Sequence, residues 1–470
     1  MIDADRMTPR AKSLALMAMV VALVLEIVDL TIINTALPAI RADFSADAAA
    51  SQWIVAGYAL AFALLLMAGG RLGDTFGYRR MFLWGVAGFT LSSALCGAAG
   101  SGTELVVARL LQGATGAIMA PQFMALMQVM FQPLERIAKL AMFGVIGGLA
   151  SIIGPILGGV LIEANLFDLG WRLIFLINLP VGLTAIALGY FYLPEARSGR
   201  PAGFDPGGIL LFGLAIAALL WPLIRGDKGA LDSVELSLLA LSLPLGWYGW
   251  RHVTRRVEQG RAALFDPVLF ENRPFAIGMA LSVAFAAANT GFLMCFAFAL
   301  QEERGQTPLT TGLLHMPFGF GAMLGIAVLG RKLLPKWGRW VLVLGAVMMI
   351  VTYALTLTGI GAMQLEFVTL VPVLVLAGAG MGMFSGCINP VAVAQIDRDH
   401  AGAASGLLKT GQQAGGALGI ALIGSAYFAG ARMIGQPGST AALIALLPLL
   451  VLCGVFAALL PSGIFAKRPH

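Results

Sequence analysis

Glu26 and Asp29 stand three residues apart in "LEIVDLTIINTALP", residues 25–38, a stretch otherwise as apolar as a membrane span. A carboxylate at a bilayer centre costs roughly 2.5 kcal/mol or more, so an acid there is a functional hypothesis first. A spacing of three puts both carboxylates on one helix face, where at low dielectric they resist double ionisation. A counter-charge exists in "LVVARLLQGATGAIMAP", residues 105–121, where Arg109, Gln112, Gly113 and Gly116 fall at i, i+3, i+4 and i+7 and form one polar, small face. A guanidinium inside a span keeps its proton and must face a cavity, a carboxylate or carbonyl oxygens. Counted at about 1.5 Å per residue from the outer ends of their runs, Asp29 and Arg109 lie at matching depth. The spacing therefore predicts that they interact, directly or through water. An acid so balanced is what a reversible proton carrier requires; the alternative is a fixed ion pair that only sets helix packing, and for Glu26 both readings stay open.

The elements that would position these residues are membrane helices. Charged residues are 11% of 470 and apolar residues 59%, against roughly 25% and 45–50% in a soluble domain. Charge-free windows of about span length cover 48–70, 81–103, 110–134, 140–162, 173–194, 206–224, 236–250, 274–301, 305–330, 340–365, 367–396, 410–431 and 433–466. The segment from Lys12 to Ala36, interrupted only by Glu26 and Asp29, adds a fourteenth. The shortest is 236–250, which reaches span length only if it begins near Leu231. The first segment has a basic flank, but its long apolar run and its acids fit a span rather than a cleaved signal peptide. Short alternating strands, the mark of a membrane barrel, are absent, and only helices satisfy an open backbone in lipid.

Lys and Arg fall unevenly among the loops. With the N-terminus inside, the outside loops hold only Arg41, Arg172, Arg225, Lys228, Arg304 and Arg432 of the 30 basic residues; nearly all the rest lie on the inner side. Both termini are therefore expected to be cytoplasmic. The net charge of +6 follows from this bias, so it is no sign of nucleic-acid binding. The basic loop "RHVTRRVEQGR" is within reach of anionic headgroups, although plain topology also accounts for it. Cys96, Cys295, Cys387 and Cys453 are scattered singly, which supports neither a disulfide framework nor a metal site.

"GGRLGDTFGYRR" (69–80) and "LGRKLLPKWGRW" (329–340) share a glycine, a basic residue, a turn and a second glycine followed by arginine. This suggests two six-span halves with an inserted pair. The expected organisation is an N-terminal bundle at 1–194, the pair with its linkers at 195–272, and a C-terminal bundle at 273–470. Repeats of this kind build many secondary transporters, with the substrate site near the midplane. Further along, "GGLASIIGPILGGVL" (147–161) carries Gly154, Pro155, Gly158 and Gly159, and "GLLKTGQQAGGALG" (406–419) spaces Gly411, Gly415 and Gly419 four apart. Such faces allow close helix approach, either static or sliding. Asn34, Gln112, Gln122, Asn289 and Asn389 are polar cavity candidates, and Phe292 and Phe296 offer the apolar wall that ligand sites have. His315 is titratable near neutrality, but a hydrogen-bonded structural histidine is the plainer reading. Lys409 lies about one turn from the inner face and can snorkel out.

In this order, "LEIVDLTIINTALP", "GRLGDTFGYRR", "RLLQGATGAIMAP", "GPILGGVL" and "WRLIFLINLPVG" (171–182) resemble the major facilitator superfamily, specifically its fourteen-span (DHA2) branch of drug:proton antiporters. The second half matches more loosely, through "GQTPLTTGLLHMPFGFG" and "GAASGLLKTGQQAGGALG". The resemblance implies an all-α integral membrane fold of two six-helix bundles plus two inserted helices, fourteen transmembrane helices in all. It implies a monomeric multidrug exporter of a bacterial inner membrane, with protons as the coupling ion and no other cofactor. Asp29 matches the acid of the "D-x-T" signature and Arg109 the arginine that tunes it. Gly70, Asp74, Gly77 and Arg79 match a loop signature that latches the halves, and Gly154, Pro155, Gly158 and Gly159 match the antiporter signature. Tyr78 stands where the family often has a basic residue, Ala150 where it often has glycine, and Lys409 where a small polar residue is usual. The rival functions are a same-fold exporter of an endogenous metabolite or lipid, a facilitator without proton coupling, a membrane enzyme and a sensor. No nucleophile constellation or large extramembrane domain supports the enzyme.

Overall fold

The computed structural model describes residues 7–198, 203–225, 231–361, 367–397, 400–433 and 437–461. Arg6, Arg200, Lys228, Arg398, Lys467 and Arg468, which entered the loop-charge bias, lie outside the described residues. The described residues are helices and short connections, with no strand among them.

The long helices of the first half are α1 (Pro9–Phe44), α2 (Ala48–Phe76), α3 (Tyr78–Ala98), α4 (Gly102–Met130), α5 (Pro133–Ala164) and α6 (Gly170–Tyr192). The inserted pair is α7 (Pro206–Arg225) and α8 (Ser233–Glu258). The second half follows with α9 (Arg273–Phe298), α10 (Pro308–Leu324), α11 (Trp340–Gly361), α12 (Phe367–Val393), α13 (Ala401–Met433) and α14 (Gly438–Leu459). Among the described residues, twelve helices are long and apolar enough to cross a membrane. Two others that the sequence reads as spans, α4 and α8, are long enough, with 29 and 26 residues, but do not reach that apolarity. Their composition gives the reason: α4 carries Arg109, Gln112, Gln122 and Gln128, while α8 ends in the basic turn that begins at Arg251.

Several helix starts are written in the sequence. Thr8 caps α1, its Oγ1 accepting from the Ala11 N–H at 3.2 Å ahead of Pro9. Ser101 and Glu104 form a reciprocal cap on α4: Ser101 Oγ accepts from the Glu104 N–H at 3.2 Å, while Glu104 Oε2 accepts from the Gly100 N–H at 2.9 Å. This cap fixes the register of α4, and with it the depth of Arg109 two turns on.

The chain divides into two compact units: Met1–Ala46, Trp53–Ala217 and Leu241–Phe265 form one; Asp47–Gln52, Ala218–Ala240 and Asp266–His470 form the other. Within the first, α1 packs on α5 and α6, and α3 on α4 and α6. Within the second, α9 packs on α13 and α14, and α11 on α12 and α14, so each half uses the same pairing order. The close approaches need glycine. A β-carbon on Gly113 of α4 would collide with the Tyr58 carbonyl oxygen of α2, and one on Gly419 of α13 with the Ala287 carbonyl oxygen of α9.

Candidate functional site

Asp29 is completely buried in the first unit, and so is Arg109. Arg109 Nη1 donates to Asp29 Oδ2 at 2.6 Å and to Gln112 Oε1 at 2.7 Å. The other carboxylate oxygen, Oδ1, accepts from Gln112 Nε2 at 2.8 Å and from Asn178 Nδ2 at 3.0 Å. Ser93 Oγ accepts from Asn178 Nδ2 at 2.9 Å and from Gln112 Nε2 at 3.3 Å, and donates to the Phe175 carbonyl at 3.0 Å. Asp29 on α1 is thus held by side chains of α4 and α6, braced from α3.

Local structure places each donor. Arg109 and Gln112 are three apart and reach the same side of α4. Asn178 is positioned by the start of α6, where Trp171 Nε1 and Arg172 Nη1 each donate to Asp43 Oδ2 at 2.9 Å and tie α6 to the far end of α1. The guanidinium also donates from Nε to the Ile54 carbonyl at 3.2 Å and lies 4.4 Å from the Tyr58 ring centre and 5.8 Å from that of Phe175. Cation–π contact on a desolvated guanidinium offsets part of its burial cost. Arg109 Nη2 and Tyr58 Oη are buried with no hydrogen-bond partner among the described residues.

The chemistry follows from the donor set. Every group on the Asp29 carboxylate is an N–H donor, so the arrangement suits the anion. A proton taken up finds no hydrogen-bond acceptor among these three partners and weakens the bonds that the anion holds. Glu26 is also buried, at 3% exposure, one turn earlier on α1.

Gln112, named as a cavity candidate, is a hydrogen-bond partner of Asp29. Among the other expected cavity residues, Asn289, Phe292, Phe296 and His315 come together in the second unit. Tyr353 Oη donates to Asn289 Oδ1 at 3.0 Å, and its ring stacks on Phe292 at 3.6 Å. Phe296 meets Phe292 at 5.8 Å and His315 edge-on at 5.1 Å. His315 Nδ1 bonds the Thr311 carbonyl at 2.8 Å, whereas Nε2 is buried without a partner among the described residues. Gln122 donates to the Gly69 and Ile118 carbonyls, Asn34 makes a 3.4 Å bond to the Thr31 carbonyl, and Asn389 is exposed.

Of the expected loop residues, Gly77 joins α2 to α3 with φ +99°, a conformation that suits glycine. Arg79 pairs with Glu195 at 2.8 Å and donates to the Tyr190 carbonyl, while Asp74 accepts from Tyr78 Oη at 2.9 Å. Gly70 faces Pro121 of α4. Gly154, Pro155, Gly158 and Gly159 are buried; β-carbons at Gly154 and Gly158 would strike Thr31 and Ile32 of α1. Lys409 is exposed. Asn178 and Ser93 were not singled out from sequence. Asn178 sits inside the quoted "WRLIFLINLPVG", where an amide in an apolar run was the available signal; Ser93 had none.

Residues 19–420 match the profile of the Major Facilitator Superfamily. The chain belongs to that superfamily. Three relatives carry names that refer to transport, export or efflux. It is 36% identical over 409 residues to the "Probable actinorhodin transporter" of Streptomyces coelicolor, covering 86% of this chain and 70% of that one. It is 35% identical over 413 residues to the "Tetracenomycin C resistance and export protein" of Streptomyces glaucescens, covering 87% and 74%. The "Multidrug efflux pump LfrA" of Mycolicibacterium smegmatis is 30% identical over 426 residues, covering 90% and 82%. Among solved structures, a bacterial homologue of the human lysosomal transporter Spinster superimposes with a TM-score of 0.66 over 98% of this chain and 97% of that one; at 18% identity this likeness concerns the fold alone. As a major facilitator the chain is a multi-pass membrane transporter, not an enzyme, and its relatives export drugs and antibiotics.

Proposed function

We propose that this transporter is a proton-coupled exporter of amphipathic, often cationic compounds, working by alternating access. The observation that carries the reading is Asp29, a fully buried carboxylate whose anionic form is balanced by Arg109 and whose protonation weakens its contacts from α4 and α6. Proton occupancy and helix position are then linked at one atom group. One charge crossing 100 mV releases about 2.3 kcal/mol, enough for a substrate gradient of tens-fold per proton. In this reading α4 and α8 also cross the bilayer, giving fourteen spans in a monomer with both termini in the cytoplasm of a bacterial cell. Protons are the coupling ion, and no other cofactor takes part. Within the second unit, substrate contacts come from the aromatic cluster of Phe292, Phe296, Tyr353 and His315 together with Asn289; Asn34 and Gln122 are the candidates of the first unit taken by itself. Gly70, Asp74, Gly77 and Arg79 act in the latch, and the α1–α5 glycine face carries the motion.

The names of two relatives, each tied to a single compound, favour a narrower second reading, export of one endogenous metabolite. The test is substrate-induced proton release from the purified protein, using a panel of lipophilic cations together with actinorhodin and tetracenomycin C, the compounds named for two relatives. Release from wild type that disappears in a folded Asp29→Asn variant is expected. Unchanged release in that variant removes Asp29 from the mechanism; binding without release in wild type removes proton coupling; release by a single chemotype favours the narrow exporter.

A further inference from the structure

The segment "RHVTRRVEQGR", residues 251–261, ends α8 and folds back along it. Asp205, with a side chain only 1% exposed, ties this fold to the start of α7. Its Oδ1 accepts from the Gly208 N–H at 3.0 Å and lies 2.8 Å from His252 Nε2; its Oδ2 accepts from the Leu264 N–H at 3.0 Å. Arg256 completes the brace, 3.5 Å from Asp205 and donating to the Ala262 and Phe204 carbonyls. One arginine is therefore committed to holding the turn.

The other three are not. Arg251, Arg255 and Arg261 are exposed, and among the described residues no carboxylate lies within ion-pair distance of any of them. Together with Gln259 and Tyr248 they line a cleft of about 440 Å³, within the range that small-molecule sites occupy. Like charges gathered in a concavity repel one another, so this arrangement is stabilised by an anion. Guanidinium forks match the geometry of a phosphate. The cleft also stands at a definite level. Trp247, Tyr248 and Trp250 are exposed on the turn of α8 just before it, with Arg251 stacked 4.8 Å over Trp247, and such aromatic belts mark the membrane–water interface. A bias of basic residues toward one side requires only that charges be present; it does not require them to converge on one cleft whose remaining basic lining residues, His252 and Arg256, are held by a buried aspartate.

We propose that this cleft binds a phosphate group, presented by the headgroup of an anionic phospholipid. The inserted helix pair would then carry a lipid site, independent of Asp29 and of whether transport is coupled to protons.

The test titrates the detergent-purified full chain with phosphatidylglycerol, with phosphatidylcholine and with inorganic phosphate, counting bound molecules by native mass spectrometry. Three proteins are compared: wild type, the triple variant Arg251→Gln/Arg255→Gln/Arg261→Gln, and a control that loses the same charge elsewhere, Arg10→Gln/Lys12→Gln/Lys332→Gln. Gel filtration and thermal unfolding establish that each is folded. Each near-surface charge is worth roughly fivefold in binding an anionic headgroup, so the triple variant should bind phosphatidylglycerol on the order of a hundredfold more weakly, with phosphatidylcholine unaffected and the control close to wild type. Equal loss in the control would overturn the proposal in favour of diffuse charge attraction. Inorganic phosphate binding as tightly as the lipid, and lost in the triple variant, would reassign the cleft to a soluble phosphate compound. No lipid preference in wild type would dismiss it.

Discussion

Asp29→Asn keeps the shape of the side chain and removes only its charge. Whichever way the new amide turns, its NH₂ meets a donor: Arg109 Nη1 on one side, or Gln112 and Asn178 on the other. Arg109 keeps its bonds to Ile54 and Gln112 and the Tyr58 face, so it is stranded but not bare. Breaking a buried pair by removing one partner costs roughly 3–5 kcal/mol, and these surviving contacts place Asp29→Asn at about 3 kcal/mol. Arg109→Gln gives up the same contacts and leaves the carboxylate uncompensated, which puts it nearer 5 kcal/mol. With both charges gone the penalty of a lone buried ion vanishes, so the double variant should be less damaged than the sum of the singles by about 2 kcal/mol or more. Equilibrium unfolding in mixed detergent micelles measures the stabilities, and transport in vesicles is followed in parallel. Additivity within about 0.5 kcal/mol would refute the pair as an energetic unit. Stability regained without transport fits Asp29 as a proton site. Transport regained by the double variant would refute that role and leave the pair as packing alone.

Three further outcomes are expected. Gly419→Ala should lower stability by roughly 2 kcal/mol or more because its β-carbon meets the α9 backbone, whereas Gly406→Ala in the same helix, with nothing within 4 Å, should raise stability by up to about 1 kcal/mol; thermal unfolding of both checks this. Burial pushes the Asp205 carboxyl up, but the Gly208 N–H, His252 and the Leu264 N–H outweigh it and hold the group below the ordinary 3.8. A carboxyl depressed on folding stabilises above its unfolded value, so the stability gap between wild type and Asp205→Asn should shrink on acidification below the ordinary value; a gap that widens there would contradict the assignment. Tyr58→Phe should leave stability unchanged or slightly higher, since the lost hydroxyl has no partner, and a drop beyond about 1 kcal/mol would show that it has one.

How far the sequence could lead is clearest at Asp29. A charge in an apolar run is expensive enough to demand a partner, and helix rise converts residue counts into depth, so Asp29 and Arg109 could be paired across eighty positions. Neutral donors cost far less, and nothing forces an asparagine in a span to face a particular acid; Asn178 and Ser93 therefore needed coordinates. The same asymmetry explains Gln112, whose bond to Asp29 depends on side-chain reach. Span counting worked where apolar runs were clean and became ambiguous at α4 and α8, because the residues that give a helix its polar or interfacial character are those that lower its apolarity. The helix pairing order repeated in both halves was visible beforehand only in the two similar loops at 69–80 and 329–340.

The donors around Asp29 also form an insulator. Arg109 does not release its proton at accessible pH, the amides of Gln112 and Asn178 are not acids, and the hydrogen of the Ser93 hydroxyl is committed to the Phe175 carbonyl. None of them passes a proton onward. A proton that reached Asp29 would therefore not move on through these four groups until α1, α4 and α6 changed their contacts. Under the proton-coupled reading, this wiring keeps the driving gradient from leaking through these donors between cargoes.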